Sequence, residues 1–507
     1  MNSDDRNPIA SGEATEMGSH AVPKDAARFD HQSHYLYQRV VDLIRNQIID
    51  DTLNTGDRLP SLRSMSVQMQ VSIPTVRQAY LELERQGFIQ AKAKSGYFVQ
   101  MPARRQIVSK GRSQRRQPCK VRCRQLLDKV YDAVHQPGVV PLGIAIPCMA
   151  QPATKTLHRT MKRVMTRTQE QILSYAPTAG DASLRSQIAF RYQQQFEQVH
   201  GDQVIITNGA QEATAIALQC CAKPGDIIAV ESPSYHGHME IIESLGMLVL
   251  EIETDPVTGV SIQSLEQAFA RHDIKACLFS SAMNNPLGSL TRDDDRAALV
   301  RLLETHQVPL IEDDVYGELI YNGRRPPLAR RYAQSDLVMT CSSFAKTLAP
   351  GYRIGWLLAG RHHERACQIK RALSCSSGLL QQLTLSEFLA SGEYDRHLKR
   401  LMPVLKNNAQ RMRAAIEDHF PHSTRVSQPQ GGSVLWLELE RHFDSRRFFD
   451  DALEQGISLM PGAIFAAADR FNNYLRLSYG HPWSDAMEDA IQRLGQLAHL
   501  ALEQHPK

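Results

Sequence analysis

The sequence has no run of about 18 apolar residues, the length a helical membrane span requires. Its first residues, MNSDDRNPIASGEATEMGSHAVPKD, lack a basic stretch followed by an apolar one, so no secretory signal is expected. The nine cysteines include no CxxC pair. Cys119 and Cys123 have no His or Cys companions nearby, and Cys220 and Cys221 sit in an apolar helix-like stretch. That pattern excludes a disulfide or zinc framework and points to reduced thiols in the cytoplasm, with no metal site. No 20–50-residue repeat is present, which excludes solenoids and propellers. Charge of either sign is nearly balanced overall, at +4.

The balance hides a strong asymmetry. Residues 1–30 carry −3, residues 31–100 carry +2, and residues 131–507 carry −4. Residues 101–130 have ten basic side chains and one acidic, so +9. A basic strap on a mildly acidic body suggests nucleic acid, such as double-stranded DNA, or an anionic surface as one partner. With 507 residues the chain is too long for one core. The pattern predicts four pieces: a disordered polar tail at 1–32, a compact helical block at 33–100, the basic linker at 101–130, and a body at 131–507. In the body, VIIT (204–207), IIAV (227–230), LVLEI (248–252), ACLF (276–279), VPLIED (308–313) and LVMTCSS (337–343) alternate with amphipathic stretches. That alternation predicts βα units around a largely parallel sheet.

In the 33–100 block, Val40, Val41, Ile44, Ile48 and Ile49 fall on one helical face. Gly56 and Pro60 break that helix. Ser61 is placed to cap a second helix over 61–69, and Ser72 a third over 73–87 that stops at Gly87. Two short helices with a tight turn make a helix-turn-helix, whose second helix enters the major groove. Residues 88–99 read as two strands around a turn with Lys92, Lys94, Ser95 and Gly96, which is a wing. The segments LPSLR (59–63), VSIPTV (71–76), AYLELERQG (79–87) and SGYFV (95–99) resemble the winged helix of the GntR family of bacterial regulators. The resemblance implies DNA contacts by Arg63, Ser72, Thr75, Arg77, Ser95 and Gly96. Arg forks hold phosphate or guanine, and hydroxyls and backbone N–H groups fix register. Two positions depart from the family pattern. Gln70 stands where Gly is common, and Ile73 where Arg is common, so base preference does not transfer from relatives.

SSFAKTLAPGYRIGW (342–356) carries the body's chemistry. It resembles the lysine motif of class I aminotransferases, which bind pyridoxal 5′-phosphate. In that resemblance Lys346 forms the Schiff base with the cofactor aldehyde, which requires a neutral amine in a desolvated site. Ser343 and Arg353 hold the phosphate. Asp313 in IEDDVYGEL (311–319) pairs with the pyridine nitrogen, and Tyr316 bonds the ring hydroxyl with Asn285 of NNPLG (284–288). Gly209, Ala210 and Gln211 lie between a strand and a helix, where free N–H groups bind phosphate. Ala210 is often Ser or Thr in relatives, so one hydroxyl is absent. Tyr235 of SPSYHG (232–237) stacks on the ring. Tyr175 reaches the phosphate of a neighbouring subunit, which implies a homodimer. Arg476 of YLRLSYG (474–480) grips a substrate α-carboxylate. The arm at 139–155 keeps Gly143 and Pro147 in an altered context, so the resemblance does not name the ligand.

The fusion resembles the MocR subfamily of GntR regulators, from residue 33 to about 500. The implied fold is a mainly α winged helix joined to an α/β aminotransferase fold. The latter has a large domain with a mostly parallel sheet at about 171–365, and a smaller α+β domain at about 366–507 with the arm. The implied function is a cytoplasmic, PLP-dependent transcriptional regulator that senses PLP or an amino acid or amine effector. The sequence leaves two alternatives open. One is a working aminotransferase with an attached DNA-binding domain, and the other is a regulator with a cofactor-free body.

Overall fold

The computed structural model describes residues 36–49, 53, 57–85, 88–92, 95–99, 117–120, 124–134, 136–145, 152–256, 258–280, 282–321 and 325–504. The tail at 1–32, Gly56, Gly87, Lys94, Cys123, Pro147 and most of the basic linker lie outside them. The chain divides into two units, 1–102 and 103–507.

The first unit builds a small core from helical spacing. α1 (Leu36–Ile49) buries Val40, Val41 and Ile44. The side chains of Ile48 and Ile49 are outside the described set. α2 (Leu62–Met69) starts on Ser61, whose hydroxyl accepts the Ser64 N–H at 3.1 Å. It ends at Gln70 in a left-handed conformation, φ 53°. α3 (Ile73–Arg85) buries Val76, Ala79, Tyr80 and Leu83, an i, i+3, i+4, i+7 stripe. β1 (Ile89–Lys92) and β2 (Gly96–Val99) pair antiparallel. The wing is tied to α3 where the Ala91 N–H donates to Glu84 at 2.8 Å.

The second unit starts inside the segment expected to be linker. Cys119 exchanges backbone hydrogen bonds with Val249, at 3.0 and 3.1 Å. α4 (Arg124–Val134) then buries Leu127, Val130 and Ala133 at i, i+3, i+6, so apolar spacing pulls this stretch into the body despite its charge. β3 (Val140–Pro141), α5 (Pro152–Thr168) and α6 (Ala182–Gln193) follow. Next comes the alternating run of β4 (Val204–Thr207), α7 (Ala210–Cys221), β5 (Ile227–Ser232), α8 (His236–Ser244), β6 (Leu248–Asp255), β7 (Gly259–Val260), α9 (Ile262–Phe269), β8 (Ile274–Phe279), α10 (Asp293–Thr305), β9 (Leu310–Asp313), β10 (Val338–Ser343) and β11 (Gly355–Leu358). These eight strands form one sheet in the order β4-β11-β10-β9-β8-β5-β6-β7. β11 and β7 run against their neighbours and the other pairings are parallel. The parallel strands are buried along nearly their whole length, as strands covered on both faces must be.

The remainder comprises α11 (His363–Ser374), α12 (Leu379–Ala390), α13 (Glu393–His419), β12 (Arg425–Val426), β13 (Val434–Glu438), α14 (Ser445–Glu454), β14 (Ile457–Ser458), β15 (Met460–Pro461), β16 (Tyr474–Ser478) and α15 (Asp485–Gln504). A second, antiparallel sheet has the order β12-β13-β16-β15. β3 pairs with β14, which ties the N-terminal arm to this region. Among the described residues no helix is long and apolar enough to cross a membrane.

Candidate cofactor site and DNA-reading head

An open sheet with parallel strands leaves its ligand crevice at their carboxyl ends. Here Gly209–Gln211 follow β4, Tyr235 follows β5, and Asn285 follows β8. Asp313 ends β9, Tyr316 lies just beyond it, Ser343 ends β10 and Lys346 follows. A cavity opens at that edge. Its lining includes Ala210, Gln211, Tyr235, Asn285, Asp313, Tyr316, Ser343, Lys346 and Arg353.

Lys346 is half-buried and its Nζ donates to the Ala145 carbonyl at 2.9 Å. Burial, with the positive charge of Arg476 beside it, lowers its amine to about 8. Asp313 opposes that shift and Arg353 adds to it. Asp313 accepts from His238 Nε2 at 2.9 Å and from the Val315 N–H at 3.1 Å. Tyr316 is buried, and desolvation pushes its phenol up to about 12. Arg476, on β16, is buried and donates to Asn285 Oδ1 at 3.3 Å and to the Gly143 carbonyl. It stands against Asn285 just outside the cavity lining.

The N-terminus of α7 is shaped by close backbone approach. Gly209, its N-cap, has φ 84°, and a Cβ there would lie 2.4 Å from Arg353 Nη2. Arg353 reaches across to donate to the Asn208 carbonyl at 3.2 Å. The Tyr235 ring lies over Gly237, where a Cβ would meet it at 2.5 Å. Tyr175 is far more open, 85% exposed, and does not line the cavity. Sequence reasoning missed His238, because 75 residues separate it from Asp313 and no local pattern marks it.

In the head, Arg63, Ser72, Arg77, Ser95 and Gly96 are exposed and Thr75 is half-buried. Ser72 Oγ accepts the Thr75 N–H at 3.3 Å and lies 2.8 Å from Thr75 Oγ1. Arg58 was not anticipated. It is exposed, and its Nε would lie 3.5 Å from a Cβ on Gly96, so a cation stands beside the wing turn. Sequence pattern hid it because Arg58 is separated from Gly96 by the whole helix-turn-helix.

Comparison with known families places both units. Residues 137–494 match the model described as aminotransferase class I and II. The chain belongs to that family. Residues 36–99 match bacterial regulatory proteins of the gntR family, so a helix-turn-helix of transcription regulators is fused to the aminotransferase-like body. "Uncharacterized HTH-type transcriptional regulator YjiR" of Escherichia coli K12 is 34% identical over 92% of this chain and 99% of its own length. "HTH-type transcriptional regulator NorG" of Staphylococcus aureus is 25% identical over 86% of this chain and 98% of its own. The fusion is the arrangement of the MocR-type regulators. Among solved structures, LysN, the α-aminoadipate aminotransferase of Thermus thermophilus complexed with N-(5′-phosphopyridoxyl)-L-leucine, aligns with a TM-score of 0.69 at 26% identity. The alignment covers 74% of this aminotransferase-family chain and 98% of LysN.

Proposed function

We propose that this regulator holds pyridoxal 5′-phosphate in the cavity and uses it to sense an amino acid or amine. The observation that carries the reading is Lys346, whose amine is lowered to about 8 and faces a cavity floored by Asp313. The donor set fits the cofactor at each end. The Gly209–Gln211 turn at the helix N-terminus, Ser343 and Arg353 suit a phosphate dianion. Asp313, held by His238, suits a pyridine N–H, and Tyr316 with Asn285 suits a ring hydroxyl. When bound, the cofactor supplies an electrophilic aldehyde carbon and an electron-withdrawing ring. Lys346, whose lowered amine gives up its proton more readily than an ordinary lysine, would hold that carbon. Tyr235 offers its ring face at the cavity wall, and Arg476 supplies the buried cation suited to a ligand carboxylate.

The head reads duplex DNA with Arg63, Arg77 and the N-terminus of α3, and Ser72, Thr75, Ser95 and Gly96 seat the backbone. A homodimer is supported by Tyr175, whose exposed ring would reach the phosphate site of a second copy. An effector changes DNA binding only by binding two arrangements of the dimer with different affinity. The cytoplasm is the compartment where operator DNA is found.

Two measurements test the reading on the full chain. Addition of pyridoxal 5′-phosphate should produce a visible absorbance band in the wild type and none in Lys346→Ala. A steady-state assay with amino and keto acids should show turnover far below the 1–10³ per second of ordinary enzymes. Turnover in that range makes the protein an aminotransferase with an attached head, and absence of the band removes the cofactor.

A further inference from the structure

The residue that opens the reading helix is apolar and faces solvent. Ile73 is the first residue of α3 and keeps 43% of its surface exposed. The head's core takes Val76, Ala79, Tyr80 and Leu83 from the same helix and does not include Ile73. The neighbouring hydroxyls are engaged with one another. Ser72 and Thr75 hydroxyls lie 2.8 Å apart, and Ser72 Oγ also takes the Thr75 N–H. Pro74, exposed beside them, has no N–H to offer. At the tip of α3 the group left to meet a base is therefore the branched aliphatic side chain of Ile73, with Arg77 one turn along the same face.

The major groove presents hydrogen-bonding atoms at every base pair and one apolar group, the C5-methyl of thymine. We infer that Ile73 reads that methyl group, so that each operator half-site carries a thymine at the base pair facing the N-terminus of α3. This rests on the reading of the head as a duplex-DNA reader, and it names the base chemistry at one position. The alternative occupant, an apolar protein surface, gives no dependence on a base methyl.

The test uses the full-length protein and duplexes selected by it from a random library. Each thymine of the recovered site is replaced in turn by deoxyuridine, which lacks only the methyl. One thymine per half-site should be sensitive. There, deoxyuridine should weaken the wild type about fourfold, the worth of one buried methyl group. The same replacement should leave Ile73→Ala unchanged. Alanine at an exposed helical position keeps the fold, and the base replacement leaves the protein untouched altogether. A recovered site indifferent to deoxyuridine, or equal sensitivity in Ile73→Ala, overturns the Ile73 inference and leaves DNA reading intact. A library that yields no duplex overturns both.

Discussion

His238 Nε2 stands 2.9 Å from Asp313 Oδ2, with both side chains buried where β9 ends. The other Asp313 oxygen accepts the Val315 N–H. The carboxyl group is thus fixed in plane and aimed at the cavity by one side chain and one backbone group. The Tyr235 ring meets His238 edge-on at 5.3 Å, so α8 carries the Asp313 partner and its N-cap residue is the flanking aromatic. Removing the imidazole leaves a buried carboxylate oxygen without its donor, worth about 1–3 kcal/mol. His238→Ala should therefore weaken pyridoxal 5′-phosphate binding roughly 5- to 150-fold in an absorbance titration. Unchanged affinity would show that the pair does not position Asp313.

Gly355 is confined by backbone on two sides, by the Gly209–Ala210 peptide and the Ser342 carbonyl. A Cβ there would lie 2.5 Å from the Gly209 carbonyl carbon, 2.7 Å from the Ser342 oxygen and 2.8 Å from the Ala210 nitrogen. Backbone cannot swing away as a side chain can, so β11 and the turn before α7 must separate. Gly355→Ala should cost about 1–3 kcal/mol of stability and weaken the cofactor as well, because the same turn would seat its phosphate. Denaturant unfolding and cofactor titration check the two effects together.

Much of this architecture is legible in the sequence because its signals are local. VIIT at 204–207 is β4, residue for residue, and the other five apolar runs each became a strand of the large sheet. Lys346, Arg353, Asp313 and Tyr316 sit within short motifs at fixed spacing. The antiparallel strand β11 has no sequence signal of its own, because GWLL starts inside the lysine motif and does not alternate. Within the stretch read as linker, α4 carries the apolar Leu127, Val130, Ala133 stripe among its charges. His238 and Arg58 were invisible for a different reason, as each meets its partner only through the tertiary fold.

Glu231 supplies a pH dependence. It is fully buried on β5, and desolvation pushes its carboxyl from about 4.5 up to about 8. Hydrogen bonds from the Ser280 N–H and Asn284 oppose the shift, and Asp313 adds to it. Between those two values the folded state binds more protons than the unfolded chain, so stability falls as pH rises through the interval. The loss should reach the order of 3–5 kcal/mol above pH 8. Glu231→Gln keeps the oxygen acceptor and should flatten that decline. An unaltered slope between pH 5 and 8 would contradict the assignment.

Gln70 closes α2 in a left-handed conformation, φ 53° and ψ 42°, with its N–H directed at the Ser66 and Val67 carbonyls. A side chain there costs about 1–2 kcal/mol, and glycine gives back about 0.5–1 kcal/mol through the unfolded chain. Gln70→Gly should therefore stabilise the head by about 0.5 kcal/mol, and the β-branched Gln70→Val should destabilise it by about 1 kcal/mol or more. Calorimetry of the full chain reads both shifts in the head's transition.

The most direct test of the central claim is the DNA affinity of the wild type and Lys346→Ala, each with and without pyridoxal 5′-phosphate and an amine panel. Both proteins should bind the selected duplex. Ligand should change the affinity of the wild type by about 5- to 150-fold, the usual range of coupling between sites, and leave Lys346→Ala unmoved. Equal responses in the two proteins, or no response in the wild type, would contradict a sensor built on Lys346.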